Sequence, residues 1–156
     1  MVNLPLQKVV DFFLMEDSVS KLNDMIISNT KLVEKKGTYK VFHIKVKTPF
    51  PLDNREMVHM VTHINEGNKF YVGVKSCNYP VQPTPKFVMA QMNIGAWIFE
   101  KIDENTTRII NISDMNPMGN IPDFLKNFVS EKKIQELGNI EPIIRKEGNI
   151  WYRHVL

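Results

Sequence analysis

The 156-residue chain contains one cysteine, Cys77, so it has no internal disulfide and no cysteine-built zinc site. A lone thiol in a chain of this length points to a reducing compartment. No apolar run approaches the ~18 residues that a membrane-spanning helix needs. The segment Met1 to Asp11 does not read as a secretory signal, because it lacks a basic leader and Lys8 and Asp11 interrupt its apolar run. The expected location is therefore the cytoplasm. Seven glycines and nine prolines are too few for a low-complexity chain. Gly119 stands alone among bulkier residues, which excludes a glycine-rich phosphate loop. Charge of one sign is also scarce: 20 basic against 17 acidic residues leave a net +3. That surplus does not mark a nucleic-acid binder, and no aromatic RNA-stacking motif accompanies it. It is compatible with weak attraction to anionic lipid headgroups.

What the chain does have is apolar content. With 43% hydrophobic residues it exceeds the range of disordered chains. A domain of this size buries roughly 70% of its unfolded surface, so residues 1–156 are expected to form one domain. Leu6, Val9, Val10, Phe13 and Leu14 follow Pro5 at helical spacing, and Asp17-Ser18 is placed to cap a second short helix through Leu22. The period then changes to two. Hairpins are predicted for 30–35 with 38–47 across Lys36-Gly37, and for 56–64 with 69–76 across Asn65 to Asn68. Pro80, Pro83 and Pro85 mark a loop, followed by a long strand over 88–102 and its partner over 106–115. Pro122 opens the main helix, with Phe124, Leu125, Phe128, Val129, Ile134 and Leu137 on its apolar side and a break or kink expected at Gly138 and Pro142. The prediction is an α+β fold: about six antiparallel strands in a curved sheet, with a long terminal helix across the concave face.

The sequence offers little catalytic chemistry. His59 and His63 lie in a strand pattern, where four residues span ~13 Å, too far apart to chelate one ion through bonds of ~2 Å. Both are expected to face solvent. Cys77 has no identifiable base beside it, and Asp103-Glu104 falls in a hairpin turn. No catalytic residue, metal site or cofactor is predicted.

Two segments resemble the START (steroidogenic acute regulatory protein-related lipid-transfer) family. Pro49-Phe50-Pro51-Leu52-Asp53-Asn54-Arg55-Glu56-Met57-Val58 is similar to that family's Pro-Phe-Pro-Phe-Ser-Asn-Arg-Asp-Phe-Val stretch. Ile94-Gly95-Ala96-Trp97-Ile98-Phe99-Glu100, then Thr107-Arg108-Ile109 and the run from Asp114 to Pro122, resemble its Gly-Gly-Trp strand, its Thr-Arg strand and its Asp-Pro-Lys-Gly-Trp-Ile-Pro entry to the last helix. Weaker matches extend the resemblance from about Leu4 to the final helix. It implies a helix-grip fold with a hydrophobic tunnel for one sterol, phospholipid or sphingolipid, and no catalysis. Two family tryptophans are replaced, by Asn23 and Asn120, and the chain opens at what corresponds to the family's second helix. Either it is a fragment, or its cavity is open on that side, or another chain completes it. An exposed sheet edge leaves room for a homodimer.

In the light of this resemblance, Phe42, Ile44 and Val46 on one strand and Phe70, Val72 and Val74 on the next become candidate lipid-binding walls, roofed by Leu125, Phe128 and Val129. Residue pattern alone leaves a filled core and a hollow on a par; the resemblance favours the hollow. Asp24 aligns with an acid that meets the lipid hydroxyl in ceramide-binding members, a helix-end cap being the competing role. Asn93 and Asn111 fall where relatives place ligand contacts, against a structural role for Asn111 within its strand. Arg55 is expected to pin the proline-rich turn or to pair with an acid such as Glu56. In the 88–102 strand, hydrophobicity points Ala90, Met92, Ile94, Ala96 and Ile98 inward, whereas the family match points Gln91, Asn93, Gly95 and Trp97 inward. A bulge would reconcile the two. Exchange is expected to involve the 79–87 loop and the last helix, with Lys126, Lys132, Lys133, Arg145 and Lys146 in transient contact with an anionic membrane surface. The expected function is lipid binding for intracellular transfer or sensing; the alternative is a non-catalytic interaction or dimerisation module on the same fold.

Overall fold

A computed structural model describes residues 1–154, with side chains through residue 148. The order is α1 (Leu6–Phe13), α2 (Ser18–Leu22), β1 (Ile26–Lys35), β2 (Tyr39–Val46), β3 (Asn54–Asn65), β4 (Lys69–Ser76), β5 (Phe87–Met89), β6 (Gln91–Lys101), β7 (Thr107–Asn116) and α3 (Asp123–His154). One curved sheet runs β1-β2-β3-β4-β6-β7, with β5 attached to the start of β3. Every pairing along that path is antiparallel. Helix α3 lies across the sheet's inner face, as the α+β helix-grip expectation requires.

Three elements differ from the sequence-based expectation. β1 begins four residues early, because bulges between Ile26 and Ser28 and between Lys31 and Val33 keep a poorly alternating segment in register with β2. The predicted 88–102 strand is two strands. Phe87–Met89 pairs parallel with Asn54–Glu56, and Ala90 then donates its N–H to the Glu56 carbonyl at 2.8 Å. Finally, α3 continues through Gly138 and Pro142 without a break. Packing supplies the reason: Ile140 and Ile144 are buried on either side of Pro142, and their burial offsets the backbone hydrogen bond that proline forfeits. Ile134 and Phe124, expected on the apolar side, are exposed.

The core is split between two ends of the molecule. At one end Val9, Val10 and Phe12 of α1 pack with Leu4, Leu22, Phe70, Phe99, Ile140 and Ile144. Val2 bridges to Thr107 there, and the Thr107 hydroxyl donates to the Leu4 carbonyl at 2.8 Å, which ties the amino-terminal segment to the start of β7. At the other end Ile44, Met57 and Ala90 form a smaller cluster flanked by Ile26, Val46 and Met115.

Candidate ligand-binding site

Between these two ends the inner face of the sheet does not close on α3. A pocket of about 580 Å³ opens there, within the ~300–1,000 Å³ typical of small-molecule sites. Strand register explains its walls. Side chains opposite one another across an antiparallel pair share a face, and two rows cross the sheet: His63, Val72, Trp97 and Asn111, then Val61, Val74, Gly95 and Ser113. All eight line the pocket. Phe42 opposite His59 and Ile44 opposite Met57 extend the wall toward β1. From the helices come Phe13 and Met15 beside α1, Leu22 of α2, and Leu125 and Val129 of α3. Gly95 is needed at its position: a Cβ there would stand 3.2 Å from the Val74 Cβ and 3.4 Å from the Met92 sulfur, crowding the wall.

Of the residues singled out from sequence, the pocket brings together Phe42, Ile44, Val46, Val72, Val74, Asn111, Leu125 and Val129. It does not include Asp24, Phe70, Asn93 or Phe128. Asp24 points outward with 80% of its side chain exposed and meets Lys132 at 3.3 Å. Its neighbour Asn23 is the residue that reaches the pocket, one position away on an extended backbone being the opposite face. Phe70 is buried in the filled end, 6.4 Å from Phe99 between ring centroids. Asn93 falls within a bulge between Met92 and Ile94 and donates to the Asp114 carboxylate on the outside at 3.2 Å. Phe128 lies about 60° around the helix from Leu125 and about 100° from Val129, beneath the Lys132 ammonium.

The same bulge settles the inward face of β6. Ala90 packs in the small cluster and Met92 lines the pocket; beyond the extra residue the alternation flips, so Gly95, Trp97 and Phe99 point inward. Each of the two opposed expectations holds on its own side of the bulge. The Met92 N–H, where the β4 pairing has ended, is satisfied by the Ser76 hydroxyl at 2.8 Å.

Polar residues on the pocket wall divide into paired and unpaired. Asn111 donates to the Ala96 carbonyl at 3.2 Å, serving its own sheet. Arg55 is buried, and its guanidinium donates to the carbonyls of Asp53, Pro117 and Met118, the turn-pinning role expected for it. Lys133 sits 5.0 Å over the Trp97 ring and 3.1 Å from the buried Glu136 carboxylate. Helical spacing does not reveal this polar cluster, because it assigns the apolar side to Phe124, Leu125, Phe128, Val129, Ile134 and Leu137. His59, expected in solvent, faces the pocket. Its Nδ1 is buried without a hydrogen-bond partner, and burial pulls its pKa from 6.5 down to about 4. Met57, His59 and Val61 share one face of β3, and the burial of Met57 and the register with Phe42 turn that face inward.

Outside the pocket, Glu56 is only 1% accessible and accepts from the Thr84 backbone N–H at 2.9 Å and the Thr84 hydroxyl at 2.6 Å, with His43 Nε2 at 2.9 Å. Burial acts to raise its pKa, but the two Thr84 hydrogen bonds and His43 together outweigh that and hold it below the ordinary carboxylate range. Burial pushes the Cys77 thiol up, the wrong direction for a nucleophile. Among the described residues no group of three or more potential metal ligands converges, and no helix is long and apolar enough to cross a membrane. Four of the five cations expected at a membrane are ion-paired: Lys126 with Asp123, Lys132 with Asp24, Lys133 with Glu136 and Arg145 with Glu141.

The fold matches solved structures over nearly its whole length. Human STARD10 superposes with a TM-score of 0.84 at 16% identity, over 98% of this chain and 63% of that one. Human StAR-related lipid transfer protein 5 gives 0.84 at 14% identity, over 94% and 73%, respectively. A STAR-related lipid transfer protein fragment from Xanthomonas axonopodis gives 0.74 at 18%, over 92% and 81%. The chain has a START-like fold. The chain spans under two thirds of the STARD10 chain. No protein-family model and no curated protein matches its sequence.

Proposed function

We propose that the chain binds a single lipid in the pocket between the sheet and α3, for intracellular transfer or sensing. The observation that carries this is the pocket itself, an unfilled space with mainly apolar walls between two well-packed ends of one sheet. Burying a methylene contributes ~0.8 kcal/mol, so ten of them contribute about 8 kcal/mol, against which the costs of association are set. The shared fold with StAR-related lipid transfer proteins supports the reading. Binding without catalysis is part of the proposal, as is transient contact with anionic membranes during exchange. Asn111, engaged with Ala96, then serves the wall and not the ligand.

Native mass spectrometry of the protein incubated with lipid vesicles tests it. One lipid per chain is expected, and Val74→Phe, which pushes a ring into the pocket, reduces loading while leaving the fold intact. An unloaded protein would remove the reading. The second reading, an interaction module, is favoured by β1, which pairs with β2 alone; an unloaded dimer in the same experiment supports it.

A further inference from the structure

Two residues that line the pocket each carry a buried polar atom with no partner in the protein: Nδ1 of His59 and Oδ1 of Asn29. They are the buried side-chain nitrogen and oxygen atoms left unsatisfied among the described residues. Native proteins seldom leave such atoms unpaired, because each carries a desolvation penalty that water or a ligand must relieve. Their placement is specific. Asn29 stands opposite Ile44 on β2, and His59 stands opposite Phe42 on the far side of that strand, so the two flank β2 with a two-residue offset, about 12 Å apart.

The chemistry of the missing partner follows from these atoms. Asn29 donates its amide to the Glu16 carbonyl at 3.0 Å, which leaves the buried Oδ1 as an acceptor in need of a donor. The His59 ring is uncharged near neutral pH, because burial disfavours its protonated form, so it offers one acceptor and one donor nitrogen. An ester or ether carries acceptors only and leaves Asn29 unpaired. A phosphate or carboxylate needs a cation, and the buried one, Arg55, is committed to three backbone carbonyls. Lys133 is held by Glu136, Lys132 by Asp24 and Lys40 by Glu34, and Lys35 is exposed at the end of β1, six residues along the strand from Asn29. An ammonium has no unpaired carboxylate beside these atoms, and burying it alone is prohibitive. A hydroxyl both donates and accepts without charge.

We propose that the pocket selects an uncharged lipid whose polar end is a hydroxyl, and that His59 is the specificity-determining residue that receives that hydroxyl, Asn29 marking a second point at which the same pocket accepts a donor. This rests on the lipid-binding reading above and narrows it to one ligand chemistry, shared by sterols and acylglycerols.

The test uses pairs of probes that differ only in the hydroxyl: cholesterol against its 3-methyl ether, and a diacylglycerol against its O-methyl ether, with phosphatidylcholine as the charged-headgroup comparison. Each is offered to the full chain in neutral vesicles, and bound lipid is counted by native mass spectrometry. The free hydroxyl form is expected to be preferred over its ether by about tenfold or more in at least one pair. His59→Phe is expected to reduce that preference to about twofold or less, and His59→Gln, which keeps hydrogen-bonding capacity, to retain most of it. Which pair shows the preference identifies the lipid source. Equal loading of hydroxyl and ether, a preference that survives in His59→Phe, or preferential loading of phosphatidylcholine overturns the inference and leaves lipid binding standing. Failure to load any lipid overturns both. Should His59→Phe not fold, the wild-type comparison of hydroxyl with ether still decides.

Discussion

Arg55, at the start of β3, donates through Nε to the carbonyl of Pro117 at 3.1 Å, joining residues 62 positions apart. Nη2 donates to the next carbonyl, that of Met118, at 3.0 Å. Met118 and Gly119 both have positive φ, at 57° and 77°, and the left-handed conformation costs a non-glycine residue about 1–2 kcal/mol. The guanidinium therefore holds open a turn that the backbone alone disfavours, and that turn delivers α3 to the mouth of the pocket. Arg55→Lys keeps the charge but not the fork, leaving at least one buried carbonyl unpaired. A loss of about 2 kcal/mol in urea unfolding is expected, rising to about 3–4 kcal/mol for Arg55→Ala. An unchanged midpoint for Arg55→Lys would show that the turn stands without the fork.

His59 gives the fold an acid-side weakness. Its folded pKa of about 4 lies below the ordinary 6.5, so between those values the unfolded chain binds more protons than the folded one. Stability therefore rises with pH through that window and falls as the solution is acidified from about 6.5 to about 4. The full effect is on the order of 3 kcal/mol. Burial is its cause, with no charged neighbour contributing. Denaturant midpoints at pH 7 and pH 5 check this: wild type should lose stability between them, and His59→Phe should lose less. Parallel declines would assign the acid sensitivity to other groups, of which Glu56, with a lowered pKa, is the first.

The general plan of the fold was legible because period-two alternation is strong where one face is buried. Phe42, Ile44 and Val46, then Phe70, Val72 and Val74, show their shared faces by spacing, and all but Phe70 line the pocket. Asp24 and Asn93 were misplaced by a single position each. That error is the typical one for extended chain, since one residue reverses the side-chain direction. The bulge at Asn93 has no signature beyond the conflict between two face assignments. β5 was hidden because its parallel contact with β3 joins segments about 30 residues apart, a pairing that no local pattern encodes. The pocket's polar content was missed for a different reason. His59 looked like a surface residue because histidine between Val58 and Met60 is ambiguous by type, and only the burial of Met57 and the register with Phe42 decide its face.

Thr84 fastens the proline-rich loop to the outer face of the sheet through the Glu56 carboxylate, donating both its N–H and its hydroxyl. Hydrogen bonds to a charged acceptor contribute about 1.5–3 kcal/mol. Thr84→Val removes the 2.6 Å bond and keeps the shape. It should cost an amount in that range and speed hydrogen exchange at the Phe87–Met89 strand that follows the loop. Because Glu56 lies outside the pocket, lipid loading should change little. Loss of loading without loss of stability would instead make this loop part of the ligand gate.

The continuity of α3 through Gly138 can be tested by strengthening it. Gly138 lies on the exposed face of the helix, and a Cβ added there would meet nothing within 4 Å. Glycine in a helix interior is about 1 kcal/mol worse than alanine, chiefly through the backbone freedom it retains when unfolded. If the helix runs unbroken, Gly138→Ala should raise stability by roughly that amount, which for a domain of this size is a rise of about 3–4 °C in Tm. If Gly138 instead ends one helix in a left-handed turn, the same change would be destabilising, since alanine tolerates that conformation poorly. Thermal melting therefore distinguishes the two geometries by sign. Since Leu125, Val129 and Lys133 keep their positions on the opposite face, the stabilised variant should load lipid as the wild type does.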